Sequence, residues 1–222
     1  MKEFHLSLPI SAQDINKLGV GDIVYLSGRI LTLRDHSHKR IEEYARQGKA
    51  LPFHLEQAAI FHCGPIITRC GKNKWKAICI GATSSSRFSP LLSSVIGVYG
   101  SRIIIGKGNL FKEGVEILAA HRAVFLLAVG GCAALYATQV NRVVNNYWKE
   151  FGMADSVWEL DVREFGPLSV GVDCRGKKYR INLRKNLNKI FHDLRIDPNI
   201  DYTWWPQVLP GTKKVYQYLG QD

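Results

Sequence analysis

Residues 102–137 read "RIIIGKGNLFKEGVEILAAHRAVFLLAVGGCAALYA", and their order of patterns decides the fold class. Ile103 to Ile105 form an unbroken apolar run that stops at Gly106, as expected of a strand buried on both faces. Residues 110–123 read as a helix. A second apolar run, "VFLLAV" (124–129), stops at Gly130-Gly131, and "GGCAALYATQV" opens another helix. Strand, helix, strand, helix is the signature of crossover units, and crossover units build a largely parallel sheet.

Upstream, "AAIFHCGP" (58–65) and "KWKAICIGAT" (74–83) each read as buried strands that end at glycine. Ser89-Pro90 then suits a helix start, with serine as N-cap and proline in the first turn of a helix running to Gly100. Alternation is therefore expected across 57–140. "VGDIVYLSGRILTLR" (20–34) reads as two short strands interrupted near Ser27-Gly28, followed by a helix capped by Asp35 or Ser37 and ended by Gly48. From 141 to 184 the pattern changes to antiparallel strands, with a turn at Asp173–Gly176. A basic, helical-looking 184–196 and an irregular stretch around Trp204-Trp205-Pro206 complete the chain. The expectation is an α/β fold, a mixed sheet with flanking helices, in a domain over 1–184 with an extension over 185–222.

Composition narrows the function. Hydrophobic residues make up 46% and charged residues 22% of 222 residues, an ordinary globular balance. A formal net charge of +11 favours anionic partners without choosing among nucleic acid, phosphates, carboxylates and an acidic subunit. The basic residues are scattered, and the missing basic arm argues against nucleic acid. Cys63, Cys70, Cys79, Cys132 and Cys174 include no C-x-x-C pair and offer no compact ligand set for zinc or an iron–sulfur cluster, so no metal site is expected on this chain. Cys63, Cys79 and Cys132 lie in or beside apolar runs, where buried free thiols are the default, and a reducing cytoplasm follows. The longest apolar stretch is too short to span a bilayer and is split by two glycines, so no membrane association is expected.

In a parallel sheet, ligands bind beyond the carboxyl ends of the strands. The strand-end loops here are "GATSSSR" (81–87), "GKG" (106–108) and "VGG" (129–131), with "LTLRDHSHKR" (31–40) joining them. Together they offer Arg34, Arg87 and Lys107, several hydroxyls including Thr83 and Ser84, and glycine-freed backbone N–H groups. That set suits a small anion with two charged ends, because arginine grips a carboxylate with paired hydrogen bonds. Taken singly, each loop is more often a capping turn or a solvated basic face than part of a site. "GKG" lacks the spacing of a P-loop.

Four stretches in order, "GDIVYLSGRILTLRDHSHKR", "GATSSSR", "IGKG" and "AVGGCAAL", resemble one family. It is the beta subunit, or C-terminal domain, of class I iron–sulfur hydro-lyases, the fumarate hydratases and L(+)-tartrate dehydratases; the likeness covers about residues 6–180. The resemblance implies a swivelling β/β/α domain and a heterodimer or heterotetramer with an alpha subunit that holds a [4Fe–4S] cluster. It implies reversible dehydration of a 2-hydroxy dicarboxylate, malate to fumarate first, tartrate or mesaconate-type substrates as alternatives. By motif, it implies that Thr83 is the base and that Arg34, Arg87 and Lys107 bind the substrate carboxylates, with His38 and Ser84 orienting. The sequence departs from the family pattern at Ala82 (usually proline), Ser84 (threonine), Phe88 (methionine), Ser89 (aspartate) and His36 (a small residue). A rival from another class is a non-catalytic domain that uses the same cations to bind a phosphate or nucleic acid.

Overall fold

The computed structural model describes residues 1–72 and 74–179. In chain order its strands are β1 (Glu3–Ser7), β2 (Ile23–Leu33), β3 (Ala59–Gly71), β4 (Lys74–Ala82), β5 (Ile103–Gly106), β6 (Val124–Ala128), β7 (Val140–Tyr147) and β8 (Val157–Val172). The α-helices are α1 (Ala12–Lys17), α2 (Asp35–Arg46), α3 (Lys112–Ala120), α4 (Ala133–Thr138) and α5 (Gly152–Asp155). The expected domain boundary at 184/185, the basic helix and the Trp204-Trp205-Pro206 segment lie outside the described residues.

Strands β1, β2, β3, β5 and β6 pair in parallel in that order, as the crossover pattern predicts. Strand β8 then runs antiparallel to β6 and β7 and also to β2. The β2–β8 pairing closes β2, β3, β5, β6 and β8 into a ring, so the mixed sheet curls back on itself. Alternation along β5 shows why three consecutive isoleucines are needed. Ile103 and Ile105 enter one apolar cluster with Phe61, Leu126, Tyr136 and Phe165, while Ile104 enters a second with Ile41, Val95, Leu118 and Phe125. Both faces are dry, and each isoleucine contributes about 1.5–3 kcal/mol by leaving water.

Three expectations need correction. Residues 20–34 contain one strand, β2 (Ile23–Leu33), not two: its pairing with β8 shifts register on either side of Leu26 and then continues. Gly28 sits there at φ +125°, and Leu8 Cβ lies 2.9 Å from where a Gly28 Cβ would be, so glycine serves a bulge rather than a break. Strands β3 and β4 form an antiparallel hairpin instead of joining the alternation, since the few residues between them cannot hold a crossover. Finally, the helical stretch after β4 begins as a 3-10 turn at Ser86–Leu91 and continues as a π-helical segment at Ser93–Val98. Ser89 Oγ does not cap it, because that oxygen accepts from Phe111 N at 3.0 Å. The turn at Asp173–Gly176 forms as expected, closed by Gly176 N donating to Asp173 O.

Candidate functional site

Strand register brings the predicted loops to one level. Leu33 pairs with His62, Phe61 with Ile105, and Cys63 with Ala82. Arg34 and Thr83 directly follow their pairings, and Lys107 follows Ile105 by two residues, so all three stand at one level of the sheet. Backbone bonds fix the join: Thr83 N donates to His62 O at 2.7 Å, Lys107 N to Thr83 O at 3.3 Å, and Ser85 N to Lys107 O at 3.0 Å. Ser84 and Lys107 form a parallel bridge. Loop 83–87 thus runs beside loop 106–108 as a short extension of the sheet.

Arg87 ties this extension to α2. Its Nε and Nη2 each donate to Asp35, to Oδ1 and Oδ2 respectively, at 2.9 Å. Its Nη1 donates to Ser84 O at 3.3 Å, and its guanidinium lies over the Phe88 ring. The pair holds the Asp35 carboxyl below its ordinary range and raises Arg87. Arg34 is the N-cap of α2; its backbone N donates to Ser37 Oγ, which donates back to Arg34 O. The positive end of the α2 dipole thus faces the same space as the arginines. The Arg34 side chain lies along β3, with Nη1 2.7 Å from the position a Gly64 Cβ would take. Any larger residue at 64 would push the guanidinium aside. Its Nε faces Asp155 Oδ1 at 3.6 Å, and the other Asp155 oxygen bonds His36 Nδ1 at 2.5 Å. Neither Arg34 Nε nor Asp155 Oδ1 has a hydrogen-bond partner among the described residues.

Behind the loop lies a different neighbourhood. His38 and His62 are fully buried, their ring centroids 5.1 Å apart, and both stand against Phe88. His62 Nδ1 and Ser85 Oγ are 2.8 Å apart. Among the described residues, both nitrogens of His38 and Nε2 of His62 have no hydrogen-bond partner. Burial drives His38 down to about 3 and His62 well below its ordinary value, so both rings are neutral at pH 7. Ser85 Oγ is only 1.8 Å from where a Gly106 Cβ would be, so the loop closes down because residue 106 is glycine.

Of the predicted residues, Arg34, Thr83, Ser84, Arg87 and Lys107 therefore converge on one strand-end level. Thr83 and Lys107 are half-buried, whereas Ser84 and Arg87 are exposed. His38 supports the loop by packing against Phe88, and its ring makes no hydrogen bond among the described residues. Sequence reasoning missed Asp35 and Asp155, which engage the two arginines, and His62 inside an apolar strand. Asp35 was legible as a neighbour of Arg34; Asp155, on the short α5, gave no signal. Two surface clefts lie elsewhere: about 470 Å³ beside Tyr44, Leu51 and Trp148, and about 380 Å³ beside Ile10, Arg102 and Arg122.

The donors of the described residues do not assemble a ligand set for an iron–sulfur cluster. Among the described residues no three His, Cys, Asp or Glu gather around a common point. Cys63 and Cys174 are buried, Cys79 and Cys132 half-buried and Cys70 exposed. Burial pushes the Cys63 thiol far above its ordinary value, away from the thiolate a cluster needs. No helix among the described residues is long and apolar enough to cross a membrane.

Residues 1–181 match the family described as "Fumarase C-terminus". A Methanocaldococcus jannaschii protein provisionally named L(+)-tartrate dehydratase subunit beta is 39% identical over 186 residues, 83% of this chain and 95% of that protein. The L(+)-tartrate dehydratase subunit beta of Escherichia coli K12 is 36% identical over 196 residues, 88% of this chain and 93% of that one. A Geobacillus stearothermophilus protein provisionally named fumarate hydratase class I is 31% identical over 181 residues, 82% of this chain but 34% of that longer protein.

Proposed function

Because this chain belongs to the Fumarase C-terminus family, we propose that it is the beta-type subunit of a class I hydro-lyase that reversibly dehydrates a 2-hydroxy dicarboxylate. One observation carries the reading. Three cations and Thr83, far apart in sequence, meet at one strand-end level, where Arg87 already holds a carboxylate in two-point geometry. A substrate carboxylate has the same shape and charge as the Asp35 side chain that Arg87 grips. In this reading Arg34, Arg87 and Lys107 bind the two carboxylates and stabilise charge that develops beside them as the proton leaves. The Thr83 hydroxyl accepts that proton, a task that requires the surrounding cations to lower its pKa.

The fold is then the swivelling β/β/α domain of this family, with 1–184 as its extent. The [4Fe–4S] cluster belongs on the alpha-type chain, since the donors here do not suit it. Free thiols and the absence of a membrane-spanning helix among the described residues support a cytoplasmic enzyme. Relatives named for tartrate and for fumarate make L-tartrate and malate the two substrates to separate. The test is co-expression with the alpha-type chain from the same genome, anaerobic reconstitution, and assay against malate, fumarate, L-tartrate and mesaconate. The expected result is activity in the complex and none in either chain alone. A reconstituted complex inert towards every 2-hydroxy dicarboxylate would overturn the reading. Steeply salt-dependent RNA or DNA binding in its place would establish the rival one.

A further inference from the structure

Between Glu56 and Glu113 the sequence contains no aspartate or glutamate. The β3–β4 hairpin lies within this stretch and carries Arg69, Lys72, Lys74 and Lys76 towards its tip. Strand β3 pairs with β2 only as far as His62 and with β5 only as far as Phe61. Beyond Cys63, β3 has β4 as its ladder partner, so the hairpin extends past the ring as an arm. One face of the arm is core: Ile67, Ala77 and Ile80 are buried. The other face is open, with Ile66 55% and Ile78 46% exposed beside the exposed Thr68, Lys74 and Lys76. Met153, 45% exposed, adjoins them, its Sδ accepting from Ile67 N at 3.4 Å. The arm is rooted at Gly64, where the Arg34 guanidinium lies. An open apolar strip ringed by cations therefore begins at the edge of the proposed substrate site.

We infer that the outward face of the β3–β4 hairpin is the docking surface for the alpha-type chain, which meets it with apolar side chains surrounded by carboxylates. This rests on the proposed function and names where the partner sits. A second copy of this chain is the poorer occupant. Two-fold pairing would set the same cations against each other with no carboxylate on either hairpin to offset them. Placement beside the site also answers a chemical need. Arg87 and Ser84 remain exposed on this chain, and a reacting dicarboxylate must be shielded from water by whatever closes over it.

Affinity for the purified alpha-type chain is measured for the full-length wild type, Ile66→Asp/Ile78→Asp, Lys74→Glu/Lys76→Glu and, as a control off the arm, Val98→Asp. Circular dichroism and thermal unfolding check each free chain. Burying two carboxylates in an apolar contact is expected to weaken binding about 100-fold or more. Reversing two rim charges is expected to weaken it about 10-fold and to flatten its salt dependence, with folding intact. The control is expected to bind as wild type. Wild-type affinity in both hairpin variants would overturn the docking surface while leaving the hydro-lyase reading untouched. A wild-type chain that fails to bind the alpha-type chain would overturn both. Loss of self-association or of RNA binding in the hairpin variants, with alpha binding unchanged, would assign the arm to another occupant and overturn the inference.

Discussion

In front of loop 83–88, Arg34 faces Asp155 and Arg87 grips Asp35, so each arginine stands against a carboxylate. Behind it, His38 and His62 lie in full burial with three ring nitrogens unpartnered and no charge at neutral pH. The loop is a few residues thick, yet it divides an ionic environment from a nearly apolar one. Burial, more than residue type, sets protonation here. The histidines of a motif can then serve as wedges of packing while its arginines pair with carboxylates on the other side of the loop.

The contrast can be broken most decisively at Thr83. If the front carries the chemistry, Thr83→Ala in the assembled enzyme loses at least about 100-fold in turnover while KM changes little. Steady-state kinetics on the most active substrate check this, and unchanged turnover removes Thr83 from the reaction. Next in size is acid sensitivity from the rear. His38 has a folded pKa of about 3 against an ordinary 6.5, so the unfolded chain binds the extra proton between those values. Stability is therefore complete above pH 6.5 and falls as pH drops towards 3, by up to about 1.4 kcal/mol per pH unit for this one group. His38→Leu should reduce that slope and change stability at pH 7 by less than about 1.5 kcal/mol, as urea unfolding across pH will show.

Gly106→Ala tests the partition itself. The added methyl would overlap Ser85 Oγ, and the loop must lift, at a cost of about 1–3 kcal/mol in thermal or denaturant unfolding. Substrate affinity should fall with it. The smallest effect belongs to Asp35→Asn. Both ends of its pair with Arg87 are about two-fifths exposed, so stability at pH 7 should change by less than about 1 kcal/mol, and less still in high salt. A larger loss would mean that the front depends on buried electrostatics as the rear depends on burial.

Much of this was legible in the sequence. The Ile103–Ile105 and Val124–Ala128 runs announced two-sided burial, and the strand-end rule chose the same loops as the motif resemblance. The β3–β4 hairpin was missed because an unbroken apolar run looks alike in a crossover strand and in one leg of a hairpin. The short connection after Gly71 held the needed clue. The bulge at Gly28 looked like a break for a related reason: glycine ends a strand in one setting and lets it bend past a neighbour in another. Asp155 was beyond reach, because its pairing with Arg34 spans more than a hundred residues and follows no local periodicity.

The pairing of β2 with β8 has a bearing on how the protein is made. Residues 23–31 must wait for 159–169 to leave the ribosome before their second edge is covered. A nascent chain cut short before Val157 would leave β2 with one unzipped border and β6 without its antiparallel neighbour. Such distant pairing slows folding, and only a chain that has reached β8 can close the ring beneath the strand-end loops.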